Sequence, residues 1–320
     1  MRLFIAVAAA FAGFAALPAA AQDYPAKPIH VITATSPGGT SDVYIRVLGE
    51  ELRKAWGQPI VVDNRPGGGL NIGGLACAQA PNDGYTICIL PSETLTYNEF
   101  MYKSISFKPE KDFVPITNPF FGTQVLVVNA SLGVKTLSDL AAESKAKPKT
   151  LSYVTPSVPL YVFLENWKKQ TGADIVWVPF KGGADALNGL LSGTTPVAFF
   201  GLANMIGYVR SGKLNAIAVD GETRSPLLPD VPTLRELGYK KPLTRSFFGI
   251  VAPAGTPKPI VEKLSKEINR INKLPEFRDR HLVQLGLEPI ADTPAQFAKF
   301  LTADRAESAR IVKESGLPLR

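Results

Sequence analysis

Two glycine-rich turns, each placed between a short apolar segment and an amphipathic one, constrain the fold of this chain more than any other feature. The first is Ser36-Pro37-Gly38-Gly39-Thr40-Ser41-Asp42, which follows the apolar run Ile29–Ala34. The second is Asn64-Arg65-Pro66-Gly67-Gly68-Gly69 with Asn71-Ile72-Gly73, which follows Ile60–Asp63. The pattern predicts helices at Ser41–Trp56, with Val43, Val47, Leu48 and Leu52 on one face, and at Asn71–Ala80. A third buried strand is expected at Thr86–Leu90. Strand–helix alternation of this kind is a βαβαβ unit, and right-handed crossovers make its sheet mainly parallel.

The alternation resumes after Phe120-Phe121-Gly122. Strands are expected at Val125–Asn129, Leu151–Val154, Ile175–Val178, Val197–Phe200 and Leu214–Val219. Helices fall near 159–171, 184–191 and 204–211, and Thr136-Leu137-Ser138-Asp139 reads as a capping box that opens another. Prolines 226, 229 and 232 interrupt the series. The carboxyl-terminal third then reads as helical over Pro257–Asn272, Pro275–Leu285 and Pro294–Glu314, packing back on the first lobe.

The amino terminus has one basic residue, Arg2, an apolar run Leu3–Leu17 and the small residues Ala19-Ala20-Ala21. This is the form of a cleavable secretory signal, residues 1–21, with processing before Gln22. The run is short for a bilayer span, and no later segment approaches ~20 apolar residues. A net charge of +7, with scattered Lys and Arg, lacks the basic stripe that nucleic acid requires. Cys77 and Cys88 fall on a buried helix face and in a buried strand; both a disulfide and two buried thiols are compatible with that placement.

Catalytic and cofactor motifs are missing. The two histidines, His30 and His281, have no neighbouring ligands at metal spacing, and no Gly-x-Ser-x-Gly elbow occurs. Gly67 to Gly73 does not satisfy Gly-x-Gly-x-x-Gly, and there is no Gly-Lys-Ser/Thr. No cofactor, metal or catalytic residue is therefore assigned. The expectation is a cleft that binds without transforming.

Open α/β sheets hold ligands beyond the carboxyl ends of their strands. The expected site begins with Thr35, Ser36, Gly38, Gly39, Thr40, Ser41 and Asp42, where Thr40 or Ser41 caps the helix and free first-turn amides face an anion. Asp42 also has a purely structural reading, as a carboxylate favoured by the helix dipole. Ser92 ends the third strand. The second lobe adds Thr155 and Ser157, then Lys181, Gly182, Gly183 and Ala184. The turn 64–73 is read mainly as support for the first lobe.

Together with Tyr24-Pro25, Gly57-Gln58-Pro59, Asp83-Gly84-Tyr85, Val178–Gly183, Arg224-Ser225, Leu228–Thr233 and Phe248–Pro257, these motifs resemble the tripartite tricarboxylate transporter solute receptors, also called Bug-type receptors. The match is collinear from Tyr24 to about Gly316. The resemblance implies a two-lobe periplasmic binding protein fold of type II, each lobe a mainly parallel sheet flanked by helices, with a hinge of crossing strands. The strand count suits two such lobes, lobe 1 comprising 22–122 plus 223–320 and lobe 2 123–222, with crossings near Gly122 and somewhere between 220 and 248. The resemblance also implies capture of an organic carboxylate by a monomer, and delivery to one large and one small integral-membrane permease subunit. The chain departs from the family pattern at Ala34-Thr35-Ser36, at Val154–Pro159, at Asn188 and at Phe247 beside Arg245, where specificity is set. Arg245 is a candidate distal carboxylate clamp. Two other readings compete: a ligand-binding partner of a membrane sensor kinase, distinguishable by neighbouring genes, and an enzyme, distinguishable by turnover.

Overall fold

The computed structural model describes residues 24–155, 157–179, 183–239 and 245–319, without the side chains of 183–185. The strands are β1 Ile29–Thr33, β2 Ile60–Asn64, β3 Thr86–Pro91, β4 Phe113–Thr117, β5 Phe120–Gly122, β6 Gln124–Asn129, β7 Leu151–Val154, β8 Ile175–Trp177, β9 Val197–Gly201, β10 Leu214–Val219, β11 Ser246–Pro253 and β12 Leu287–Pro289. The helices are α1 Thr40–Trp56, α2 Asn71–Ala78, α3 Asn98–Met101, α4 Pro109–Asp112, α5 Leu137–Ala146, α6 Val158–Thr171, α7 Gly183–Ser192, α8 Leu202–Arg210, α9 Lys258–Asn272, α10 Pro275–His281 and α11 Pro294–Ser315.

Among the described residues the strands form two sheets. The first runs β12-β5-β11-β3-β1-β2, with β4 also on β11, and the second runs β10-β6-β9-β7-β8. The expected βαβαβ unit is present: β1 pairs in parallel with both β2 and β3. The expectation of mainly parallel sheets needs correction, because both are mixed. β11 returns antiparallel to β3, β4 and β5, and β6 is antiparallel to β9 and β10. The apolar run Phe247–Ala252 supplies that central strand, ahead of the mostly helical carboxyl-terminal segment.

Helix α1 is also rotated from its expected phase. Tyr44, Ile45, Leu48 and Leu52 are fully buried, whereas Val43 is exposed. Tyr44 can occupy the core because its phenol donates to Asn272 Oδ1 at 2.9 Å, which satisfies the one polar atom that burial strands. Helix α9 covers the same core, with Val261, Leu264, Ile268 and Ile271 buried at helical spacing. The expected capping box of α5 is present, with Thr136 and Asp139 bonding reciprocally. Cys77 and Cys88 form a disulfide that ties α2 to β3.

Thr123 is a crossing point between the sheets. Its N–H donates to Gly286 O at the end of the first sheet, and its carbonyl accepts from Leu202 N beside the second. Leu228, Leu234 and Tyr239 pack with the second sheet, and Leu234 N–H donates to Val219 O. Helix α11 starts against β11 through Phe297 and ends against α6. Ile311 and Val312 meet Val162 there, with Tyr97 and Met101, in one apolar cluster.

Candidate ligand cleft

The register that pairs Thr33 with Asn64 and with Ile89 brings three turns to one sheet edge: 34–39, 65–70 and the stretch after Pro91. This is the carboxyl edge of the parallel strands, the usual ligand side.

In the first turn most polar groups are already committed. Ser41 Oγ lies 2.7 Å from the hydroxyls of both Thr33 and Thr35. Gly39 N–H donates to Ser36 O, and Gly38 N–H donates to Asp42 Oδ2 at 2.9 Å. Asp42 is buried and also accepts from Arg46 Nε at 3.1 Å and Asn64 Nδ2 at 3.0 Å. Burial pushes the Asp42 carboxyl up, but the bonds from Arg46, the Gly38 amide and Asn64 outweigh it and hold the group below its ordinary value. Asp42 therefore acts as the turn's internal anion, in line with its structural reading. Neither Thr40 nor Ser41 caps α1; the N-cap is Gly39, without a side-chain bond. Ser36, Pro37 and Gly38 are exposed.

The second turn is closer to the cleft than expected. Gly67, Gly68, Gly69 and Leu70 all have positive φ, and a Cβ on Gly69 would lie 1.8 Å from the Tyr102 hydroxyl. Asn98 Nδ2 holds this turn by donating to Gly69 O at 2.7 Å and Asn71 Oδ1 at 2.8 Å. Gly69 and Leu70 thereby become cavity wall, together with Ser92 and Glu93 from the turn after β3.

The opposite wall is Ser157, Val158 and Pro159 at the start of α6, and Arg245 and Ser246 close one end. This cavity is about 210 Å³. It shares Met101, Ser157 and Val158 with a neighbouring cavity of about 460 Å³, lined further by Thr155, Tyr161, Trp177 and the tail Leu317–Leu319. Thr155 Oγ1 accepts from Ser157 N–H, which fixes the loop that faces the cleft.

Of the expected site residues, Ser92, Thr155 and Ser157 meet around these two cavities. Thr35, Ser36, Gly38, Gly39, Thr40, Ser41 and Asp42 share the sheet edge but line neither. Lys181 and Gly182 lie outside the described residues; Gly183 and Ala184 open α7, and their side chains are likewise outside. Glu93, Asn98 and Trp177 were not expected. Glu93 follows Ser92 directly, so an acidic residue just past an apolar strand was the available signal.

Arg245, the candidate distal carboxylate clamp, lines the smaller cavity. Its Nη2 donates to Glu288 Oε2 at 2.6 Å, its guanidinium lies 4.5 Å from the Phe121 ring centre, and its buried Nε has no partner. Near it, burial pushes the Asp220 carboxyl up to about 7, despite the Gln124 N–H it accepts at 2.7 Å and the nearby Arg245 charge. Burial likewise raises Glu93, against weaker lowering by its own N–H and by Ser92. Among the described residues no cluster of three or more His, Cys, Asp or Glu could hold a metal ion, and no helix is long and apolar enough to cross a membrane.

Two sheets flanked by helices, with a cavity walled from both, define a two-lobe binding protein. Residues 44–317 match the family model of the tripartite tricarboxylate transporter family receptor, and the chain belongs to that family. It is a family of solute-binding receptors, not enzymes. The chain is 34% identical over 319 residues to Protein BugT of Bordetella pertussis, covering 99% of this chain and 97% of that one. Among solved structures it is similar to R. palustris Rpa4515 with adipate, at a TM-score of 0.81 and 28% identity, covering 92% of this chain and 99% of that one. It is also similar to MatC (Rpa3494) from Rhodopseudomonas palustris with bound malate, at a TM-score of 0.76 and 26% identity over 90% and 100% of the two chains.

Proposed function

We propose that this receptor captures an organic carboxylate, of the di- or tricarboxylate or aromatic acid type, by closing two lobes around it in the periplasm. It then delivers the ligand, as a monomer, to a membrane permease of one large and one small subunit. The observation that carries this reading is the cavity with Ser92 and Arg245 on one wall and Ser157 on the other. A site made of two opposed walls changes shape when the walls move, which couples binding to a form the permease can distinguish. Adipate and malate in the two similar structures support a carboxylate as the ligand class.

Residues 1–21 act as the cleaved secretory signal in this reading. Lobe 1 comprises the segment up to Gly122 and the carboxyl-terminal segment, and lobe 2 begins at Thr123. The packing of Leu228, Leu234 and Tyr239 on the second sheet supports taking the segment through Tyr239 with lobe 2. The first-turn amides of α1, which carry no side-chain cap, remain an anion-binding edge beside the cavities.

A thermal-shift screen of the mature protein against mono-, di- and tricarboxylates tests the proposal, because a ligand that binds only the folded form raises the melting temperature. At 100 Kd of ligand the stabilisation is about 2.7 kcal/mol. A flat response across the whole set would remove the carboxylate assignment.

A further inference from the structure

We infer that Glu93 and Arg245 set the specificity of this cleft, selecting a carboxylate that also bears a hydrogen-bond donor, an amino or hydroxyl group, over a bare polyanion. The inference rests on the receptor reading above and narrows its substrate class.

Among the described residues that line the two cavities, Arg245 is the only cation. Its charge is already engaged by Glu288 through one Nη2–H; the buried Nε has no protein partner, and further N–H groups of the fork remain. The N–H groups not used by Glu288 suit a ligand carboxylate. Glu288 pairs with Arg245, so its carboxylate offsets the one described cation of the cavity lining. A second or third ligand carboxylate placed there meets like charge, which disfavours polyanions.

Glu93 presents the opposite demand. Its Oε2 accepts from Ser92 Oγ at 3.2 Å, and its own backbone N–H is the other bond to the carboxyl. No cation pairs with it on the cavity wall. A carboxyl at the wall of a partly closed site gains most from a ligand donor, and an ammonium or hydroxyl supplies one. Ser92, Glu93 and Arg245 line the same cavity, so one ligand held there can meet both side chains.

Titration calorimetry with two matched series tests this. One series is succinate, malate and aspartate, and the other is butanoate, 2-hydroxybutanoate and 2-aminobutanoate, with citrate added as the polyanion. Within the tighter series, the amino- or hydroxyl-bearing acid should bind at least about tenfold better than its parent. Glu93→Gln should abolish that preference while leaving the unliganded melting temperature near the wild-type value. Arg245→Lys, which lacks Nε, should weaken every acid of the series, and citrate should bind no better than the monoacids. A parent acid that binds as tightly as its substituted partners overturns the inference, whether or not the variants fold. An unchanged preference in folded Glu93→Gln also overturns it. If no acid of either series binds, the inference falls, and the receptor reading stands or falls by the wider thermal-shift screen.

Discussion

Asp304 gives a perturbation whose direction follows from counting hydrogens. It is buried on α11, and its Oδ2 lies 2.7 Å from Thr96 Oγ1. The same hydroxyl lies 3.0 Å from Ser92 O. A threonine hydroxyl has one hydrogen, so it cannot donate to both acceptors. A protonated Asp304 resolves the conflict: its O–H donates to Thr96, and Thr96 donates to Ser92 O. Burial pushes this carboxyl from its ordinary 3.8 up to about 6, against the lowering by Thr96 and Arg305. A folded-state value above the unfolded one means that stability is fully present below about pH 4 and is lost as pH rises through 6. At 1.36 kcal/mol per tenfold change, the penalty at pH 8 is about 3 kcal/mol. Asp304→Asn places a permanent Nδ2 donor where the protonated acid has its hydrogen. Urea unfolding at pH 8 should show the variant more stable by about 2–3 kcal/mol, and at pH 4 the two proteins should agree within about 0.5 kcal/mol. Equal effects at both pH values, or destabilisation at pH 8, would refute the proton assignment.

Other consequences follow from the same physics. Asp42→Ala removes the buried carboxylate that accepts from Gly38 N–H, Arg46 and Asn64, and chemical denaturation should show a loss of about 1–3 kcal/mol. Because the Asp42 carboxyl is held below its ordinary value, its contribution is present above about pH 4 and disappears as pH falls through the folded value; the variant should show a shallower acid limb. Reducing the Cys77–Cys88 bond, which closes a separation of 11 residues, should cost about 2–3 kcal/mol by the chain-entropy relation, read as a lower urea midpoint in dithiothreitol.

The parallel unit of the first lobe was legible because its strands are short, mostly apolar runs beside glycine-bearing turns. Runs such as Ile87–Leu90 cannot easily be anything else. The phase of α1 was not legible, because Tyr44 takes a core position only through Asn272, 228 residues away. The antiparallel strand Ser246–Pro253 was hidden for a related reason. An apolar run shows that a strand is buried, but its direction and neighbours depend on where the chain re-enters the sheet. At the site, the hydroxyls of Ser92, Thr155 and Ser157 were readable from their positions after strands. The charge set Asp220, Arg245 and Glu288 was not, because it comes from three separate re-entries of the chain around one crossing. The glycines of the first turn suggested open amides, and only the structure shows that Asp42 and Ser36 occupy those of Gly38 and Gly39.

The central claim is that an organic carboxylate binds between the two walls, and Ser157 is where both cavities meet. Calorimetric titration of wild type and Ser157→Trp with a carboxylate that stabilises the wild type tests it most directly. One ligand per chain should bind the wild type, and the folded variant, its cleft filled by the indole, should give no binding heat. Undiminished binding in Ser157→Trp at an unchanged melting temperature would place the ligand elsewhere and contradict the claim.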